Sequence, residues 1–236
     1  MPEDKFFSVN NPKYLVKREL IDLAVNNRNS KILVALNSDK LILNEKNHDF
    51  IELCNANICY FDGSGAAWAH NRKFMSNAKK IAGVELYLDV LRELSNKNIP
   101  VALIGGSDSL IKRASLILQD QIKNLQVVDI SNGYCDKSSW DTIIYRFKKS
   151  GAEYVIAAMG SPLQEKFLMR SLKIAGIGGM GVGGSLKVLV GDQQRAPKLY
   201  RDLGLEFLYR YLRGGVKFYR MKADFLFFIR ALTKQY

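Results

Sequence analysis

Short apolar runs that stop at small or polar turn residues and hand over to helix-like patterning recur along this chain, and no single motif constrains the fold as much. The runs are residues 31–36 (KILVAL), 55–61 (NANICYF), 101–104 (VALI), 125–130 (LQVVDI), 154–159 (YVIAAM) and 178–184 (GGMGVGG). The first five end at Asn37-Ser38-Asp39, Asp62-Gly63-Ser64-Gly65, Gly105-Gly106-Ser107, Asn132-Gly133-Tyr134 and Gly160-Ser161-Pro162, and the sixth leads on to Gly191 and Arg195-Ala196-Pro197. Helical spacing is read at Leu20 to Val25, over 40–47, from near Ala66, at Leu86, Val90, Leu91 and Leu94, over 108–121, from Ser138 and after Pro162. Asn132-Gly133 can close a hairpin, but helical patterning resumes near Ser138, so a strand-to-helix loop is expected. Strands alternating with helices predict an α/β, Rossmann-like fold with a mainly parallel sheet flanked by helices. Ligands of such sheets bind beyond the carboxyl ends of the strands, where helix starts offer N–H groups to phosphate.

Charge bears on the partners. The 236 residues carry 35 Lys and Arg against 23 Asp and Glu, a net charge of +12 that points to a polyanion such as nucleotide phosphate, nucleic acid or an anionic membrane. Ten of the basic residues and three of the acids follow Gln194, so +7 of the +12 is terminal. There Phe207, Tyr211, Phe218, Tyr219, Phe225, Phe227 and Phe228 alternate with Lys and Arg. Two organisations fit this tail: an interfacial membrane helix, aromatics in the headgroup boundary and cations on anionic lipid, or a helix packed on the core with a solvated basic face. The expected division is a catalytic core over 1–204 and a basic amphipathic helical, membrane-associating appendage over 205–236. Nucleic acid is not expected as a partner, because the tail interleaves charge with aliphatic residues and no RNA-binding signature occurs. Exposed apolar tail residues allow a homo-oligomer. Three cysteines, an odd number without a CxxC pair, argue for a reducing compartment, and neither a signal peptide nor a spanning segment is read, so a cytoplasmic location is expected.

The chemistry the motifs permit is narrow. No GxxxxGK[ST] occurs and no GxGxxG follows the first strand, which disfavours a P-loop nucleotidase or a typical dinucleotide enzyme. GSP at 160–162 lacks the GxSxG elbow, and the two histidines, His48 and His70, make no triad. No Cys/His cluster has zinc spacing and no Asp-x-Asp pair is present, so neither a metal nor a cofactor is expected. Asp62 lies between a buried strand and a glycine turn; it is either a carboxylate facing the strand-end crevice or the N-cap of the helix from Ala66. Gln164 and Glu165 are either helix-start chemistry after Pro162 or polar groups aimed at a sugar or base. Arg195 is either part of a helix start or a guanidinium clamp on diphosphate. The glycine turns serve close packing or cradle phosphate.

Taken in order, VALNSDK, YFDGSG, KIAGVEL, PVALIGG, NGY, AAMGSPLQE, GVGG, GDQQRAP and GLEFLYR resemble the WecG/TagA/CpsF family of bacterial glycosyltransferases, glycosyltransferase family twenty-six, over roughly residues 31–222. The resemblance implies an inverting, metal-independent transfer of an N-acetylmannosamine-type sugar from a UDP donor to N-acetylglucosaminyl-diphospho-undecaprenol at the inner face of the cell membrane. It implies a catalytic base at Asp62, the acid of the DG motif, and a substrate partner at Asn37. The substrate contacts it implies along the motifs are Gly63, Gly105, Gly106, Gly133, Tyr134, Gly160, Pro162, Gln164, Glu165, Gly183, Gly184 and Arg195. Arg210, Lys217 and Arg220 fall on the family's tail cations, expected to hold donor or lipid diphosphate. Teichoic-acid members carry Thr where this chain has Ala35; the VALN and AAMGSPLQE spellings resemble instead the enterobacterial common antigen type, which uses UDP-N-acetylmannosaminuronate.

Overall fold

The fold is taken from a computed structural model, which describes residues 16–44, 47–75, 77–202, 206, 209 and 218–233. Its elements are α1 (Lys17–Asn26), β1 (Ile32–Leu36), α2 (Ser38–Leu43), α3 (His48–Ala56), β2 (Ile58–Phe61), α4 (Ser64–Phe74), α5 (Gly83–Asn96), β3 (Val101–Gly105), α6 (Asp108–Gln121) and β4 (Val127–Ser131). A 3-10 turn (Lys137–Ser139) leads to α7 (Trp140–Lys149), β5 (Tyr154–Ala158), α8 (Leu163–Ala175), β6 (Gly179–Gly181), α9 (Ser185–Leu189), α10 (Lys198–Asp202) and α11 (Phe218–Thr233).

The six strands form one parallel sheet in the order β2-β1-β6-β5-β3-β4, an α/β Rossmann-like fold as the alternation predicts. Every residue of β1 and β3 is buried, as strands covered on both faces require. Along β4, at the sheet edge, burial is only partial.

The chain divides into two compact units. One comprises Lys17–Val34 and Gly83–Gln193. In it β3 pairs with β5 from Val101–Tyr154 to Gly105–Ala158, and β5 pairs with β6 from Val155–Gly179 to Ala157–Gly181. Its core includes Leu86, Val90, Leu91 and Leu94 of α5, Ile144 and Phe147 of α7 and Phe167 of α8, all buried. Phe167 takes the edges of Trp140 and Phe147 at ring separations of 5.5 and 6.4 Å.

The other unit comprises Met1–Val16, Ala35–Ala82 and Gln194–Tyr236. Here α11 packs on α2 and α4 through buried Phe227 and Ala231, one turn apart on a single stripe. Asp224, on the same side, accepts a hydrogen bond from Ser38 at the start of α2. Arg72 of α4 donates to the Leu232 carbonyl at 3.0 Å, supplying a partner that the last turn of α11 lacks. Packing of the tail helix is thus real, yet Phe225, Leu226, Phe228, Ile229 and Leu232 on its other sides are exposed, so the face turned outward is apolar as well as basic.

The differences from the sequence expectation are local. Residues 55 and 56 belong to α3, not to the second strand, which starts at Ile58. The second helix is Ser38–Leu43 rather than 40–47, and of the glycine run 178–184 only Gly179–Gly181 is strand.

Candidate active site

Strand β1 delivers Asn37. Its side-chain Oδ1 accepts the Lys40 amide N–H at 3.0 Å, making it the N-cap of α2 and fixing its orientation. Among the described residues nothing accepts from its Nδ2, so the donor edge is available to a ligand. Lys40 is buried beneath, its Nζ donating to the Ala35 carbonyl at 2.9 Å.

Strand β2 delivers Asp62, whose amide N–H donates to the Leu36 carbonyl at 2.8 Å. This bond sets positions 37 and 62 on neighbouring strand ends. Asp62 is half-buried, and the N-cap position of α4 is held by Gly63. Gly63 adopts φ +110°, a conformation that a side chain strains, and open space lies where its Cβ would be. Beyond it, Asn71 clamps the chain before KIAGVEL, donating to the Ala78 carbonyl at 2.8 Å and accepting the Ala78 N–H at 2.6 Å. Ile81 then returns to the Phe61 carbonyl at 2.9 Å.

Arg195 is half-buried and three residues ahead of α10, so it is a loop residue and not part of the helix start. Arg210 and Lys217 lie outside the described residues. Arg220 is on α11, and its side chain is not among those described.

In the unit of β3 to β6 the glycines have distinct uses. A Cβ on Gly105 would stand 2.5 Å from the Ala158 carbonyl, one on Gly106 2.8 Å from Leu110, and one on Gly133 2.8 Å from Gly105. Gly133 also donates its N–H to the Gly106 carbonyl at 2.8 Å. Close packing of three strand ends accounts for these three glycines. Gly160 differs, with nothing within 4 Å of its Cβ position. Gly184 is the N-cap of α9 and is exposed, as is Tyr134, whose N–H is taken by Asn132 Oδ1 at 3.2 Å.

Pro162 occupies the N-cap of α8 rather than its first helical position. Within the first turn of α8, Gln164 and Glu165 are both buried. Gln164 Oε1 accepts the Gly183 N–H at 3.0 Å and its Nε2 donates to Glu165 Oε1 at 3.0 Å. The pair thus fastens the turn after β6 to the start of α8, neither a solvated helix start nor an amide standing free in a crevice. Sequence reasoning missed Arg113, which reaches both Asp192 carboxylate oxygens at 2.8 and 2.7 Å and pins the GDQQ segment to α6. The signal was a lone acid in a polar motif, which does not name its partner.

His70 and Cys59 are held by packing and are poor nucleophiles. His70 is wedged between Phe61 and Phe74 at 5.0 and 4.9 Å, and burial lowers its pKa. A hydrogen bond with Cys54, together with burial, pushes the Cys59 thiol well above its ordinary value. What remains is a carboxylate and an amide on adjacent strand ends in one unit, and glycine turns beside helix starts in the other.

The family model described as glycosyl transferase, WecG/TagA/CpsF family, matches residues 8–236. This chain belongs to the WecG/TagA/CpsF family. Its members are glycosyltransferases, so the protein is a transferase that uses a sugar donor and an acceptor. Asn37, Asp62, the glycine turns, Gln164 and Glu165 all lie within the part of the chain that the WecG/TagA/CpsF match covers.

Proposed function

We propose that this glycosyltransferase moves N-acetylmannosaminuronate, or a closely related N-acetylmannosamine-type sugar, from a UDP donor to undecaprenyl-diphosphate-linked N-acetylglucosamine. The displacement is direct, inverting and metal-independent. Asp62 takes the proton of the acceptor hydroxyl as its oxygen bonds to the anomeric carbon. The bond from that carbon to the donor phosphate breaks, and UDP leaves with the electron pair. Asn37, its Oδ1 fixed by the cap, offers Nδ2 to a sugar oxygen. The developing charge on UDP is met by Arg195 and by the tail cations Arg210, Lys217 and Arg220.

The observation that carries this proposal is Asp62, a half-buried carboxylate directly after a buried strand, tied to Leu36 through its main chain and set one residue ahead of the N-cap Gly63. The lipid acceptor requires access to a membrane, and no described helix is long and apolar enough to cross one. The 205–236 segment is therefore assigned to peripheral attachment at the inner face of the cell membrane. Its described helix, with exposed Phe, Leu and Ile among Lys and Arg, supports that role. Incubation with UDP-N-acetylmannosaminuronate, a short-chain lipid acceptor and a chelator should release UDP. Absence of turnover across a panel of UDP-sugars would refute the proposal.

A further inference from the structure

Attachment through the tail leaves a second helix unexplained. Helix α4 contains only the cations Arg72 and Lys73 as ionised groups at neutral pH, and it carries Trp68 at mid-helix and Phe74 and Met75 at its C-terminal end, 37, 45 and 94% exposed. Trp68 stacks on Phe228 of α11 with ring centroids 5.6 Å apart and an interplanar angle of 18°. The Arg72 guanidinium lies 5.9 Å from the Trp68 ring centre while holding the Leu232 carbonyl. Phe225 and Phe228 are 68 and 53% exposed, so α4 and α11 share one aromatic surface rimmed by cations.

We propose that α4 and α11 together form a two-helix seat for an anionic bilayer, with Trp68 entering the headgroup boundary beside Phe228. The seat rests on the peripheral-membrane reading above and extends it, because contact with lipid then includes a helix that directly follows the Asp62 strand end. Charge selects this occupant. The two helices carry five Lys and Arg against one carboxylate, Asp224, which is turned inward to Ser38. Two copies meeting through this face would oppose like charges, whereas anionic headgroups neutralise them. Indole and guanidinium side by side also suit the interface, where a ring with one polar edge sits at headgroup depth.

Trp68 is itself the reporter, since the protein has two tryptophans and the other, Trp140, is buried against Phe167. Full-length protein is mixed with phosphatidylglycerol–phosphatidylcholine vesicles whose acyl chains carry bromine, a contact quencher. Fluorescence should fall on binding, and Trp68→Phe should abolish the quench while the variant still sediments with vesicles. Phe228→Ala should weaken vesicle binding roughly four- to tenfold, the effect of losing transfer of the exposed half of a phenyl ring. Sedimentation with vesicles but no Trp68-dependent quench overturns the seat, as does absence of binding to anionic vesicles. A dimer dissociated by Phe228→Asp would make a second copy the occupant and would also overturn it. UDP release onto a water-soluble acceptor tests the proposed sugar transfer separately: turnover without quench sinks only the seat, and quench without turnover sinks only the proposed donor and acceptor.

Discussion

Replacing Gly181 by Ala should cost far more than one methyl group, and the structure says where the cost arises. The new Cβ would stand 2.4 Å from Gln164 Nε2 and 2.7 Å from its Cδ, and all three nearest atoms belong to that one side chain. The amide must therefore leave, giving up the Gly183 N–H and the Glu165 Oε1 at 3.0 Å each. One neutral hydrogen bond and one to a carboxyl group, in a buried setting, put the loss at about 3 kcal/mol. Urea unfolding at constant slope should show that loss in wild-type background. In a Gln164→Ala background the space is already empty, and Gly181→Ala should be nearly neutral. The cycle should thus give a coupling energy of about 2–3 kcal/mol. Equal costs in both backgrounds, or a wild-type cost below about 0.5 kcal/mol, would refute the idea that Gly181 is glycine to accommodate Gln164.

Gly105→Ala should be more severe, about 4 kcal/mol, because φ is +149° and the obstructing atom is the Ala158 main-chain carbonyl, which cannot turn aside; a urea midpoint near wild type would contradict this. Burial raises the phenol pKa of Tyr87 from 10.0 to about 12 and that of Tyr154 further. A raised folded-state pKa of an acid means stability that is full below the unfolded value of 10.0 and is lost as pH climbs towards the folded value. Alkaline unfolding followed by circular dichroism should therefore begin above about pH 10 and coincide with a step in tyrosinate absorbance. A smooth titration of every tyrosine near pH 10 without unfolding would count against it. Hydrogen bonding to Arg170 lowers the Asp141 carboxyl below its ordinary 3.8, so its carboxyl carbon resonance should titrate low and return to normal in Arg170→Met.

The alternation of strands and helices was legible because each run obeys local rules: a buried apolar strand, a small-residue stop, a capped helix. Asn37 and Ser107 cap as their residue types dictate, Ser107 accepting the Leu110 N–H at 3.3 Å. Boundaries failed where two local signals overlap. The apolar run places the start of the second strand at Asn55, but Phe50 and Cys54 bury one helical stripe and carry α3 through Ala56. The tail pattern favours a membrane-associating helix, but its packing on α2 and α4 is not legible because apolar residues surround it: Phe227 and Ala231 face inward while Phe225, Phe228 and Ile229 face out, and periodicity alone cannot rank two apolar faces. The glycine turns were equally opaque. Whether Gly105 and Gly133 face a ligand or each other depends on neighbouring strands, which sequence spacing does not encode. Asp62 is visible as an acid in a distinctive place, but that the N-cap position falls one residue later, on Gly63, is not legible in the spacing.

The central claim is that Asp62 is the general base, and Asp62→Asn tests it most directly because the side chain keeps its shape and loses only its basicity. The measurement is kcat for UDP release, alongside KM for the donor and the thermal midpoint. The account predicts a fall in kcat of about 10²- to 10⁴-fold with KM and stability little changed. Turnover near wild type in Asp62→Asn would contradict it and return Asp62 to a structural part in the turn after β2.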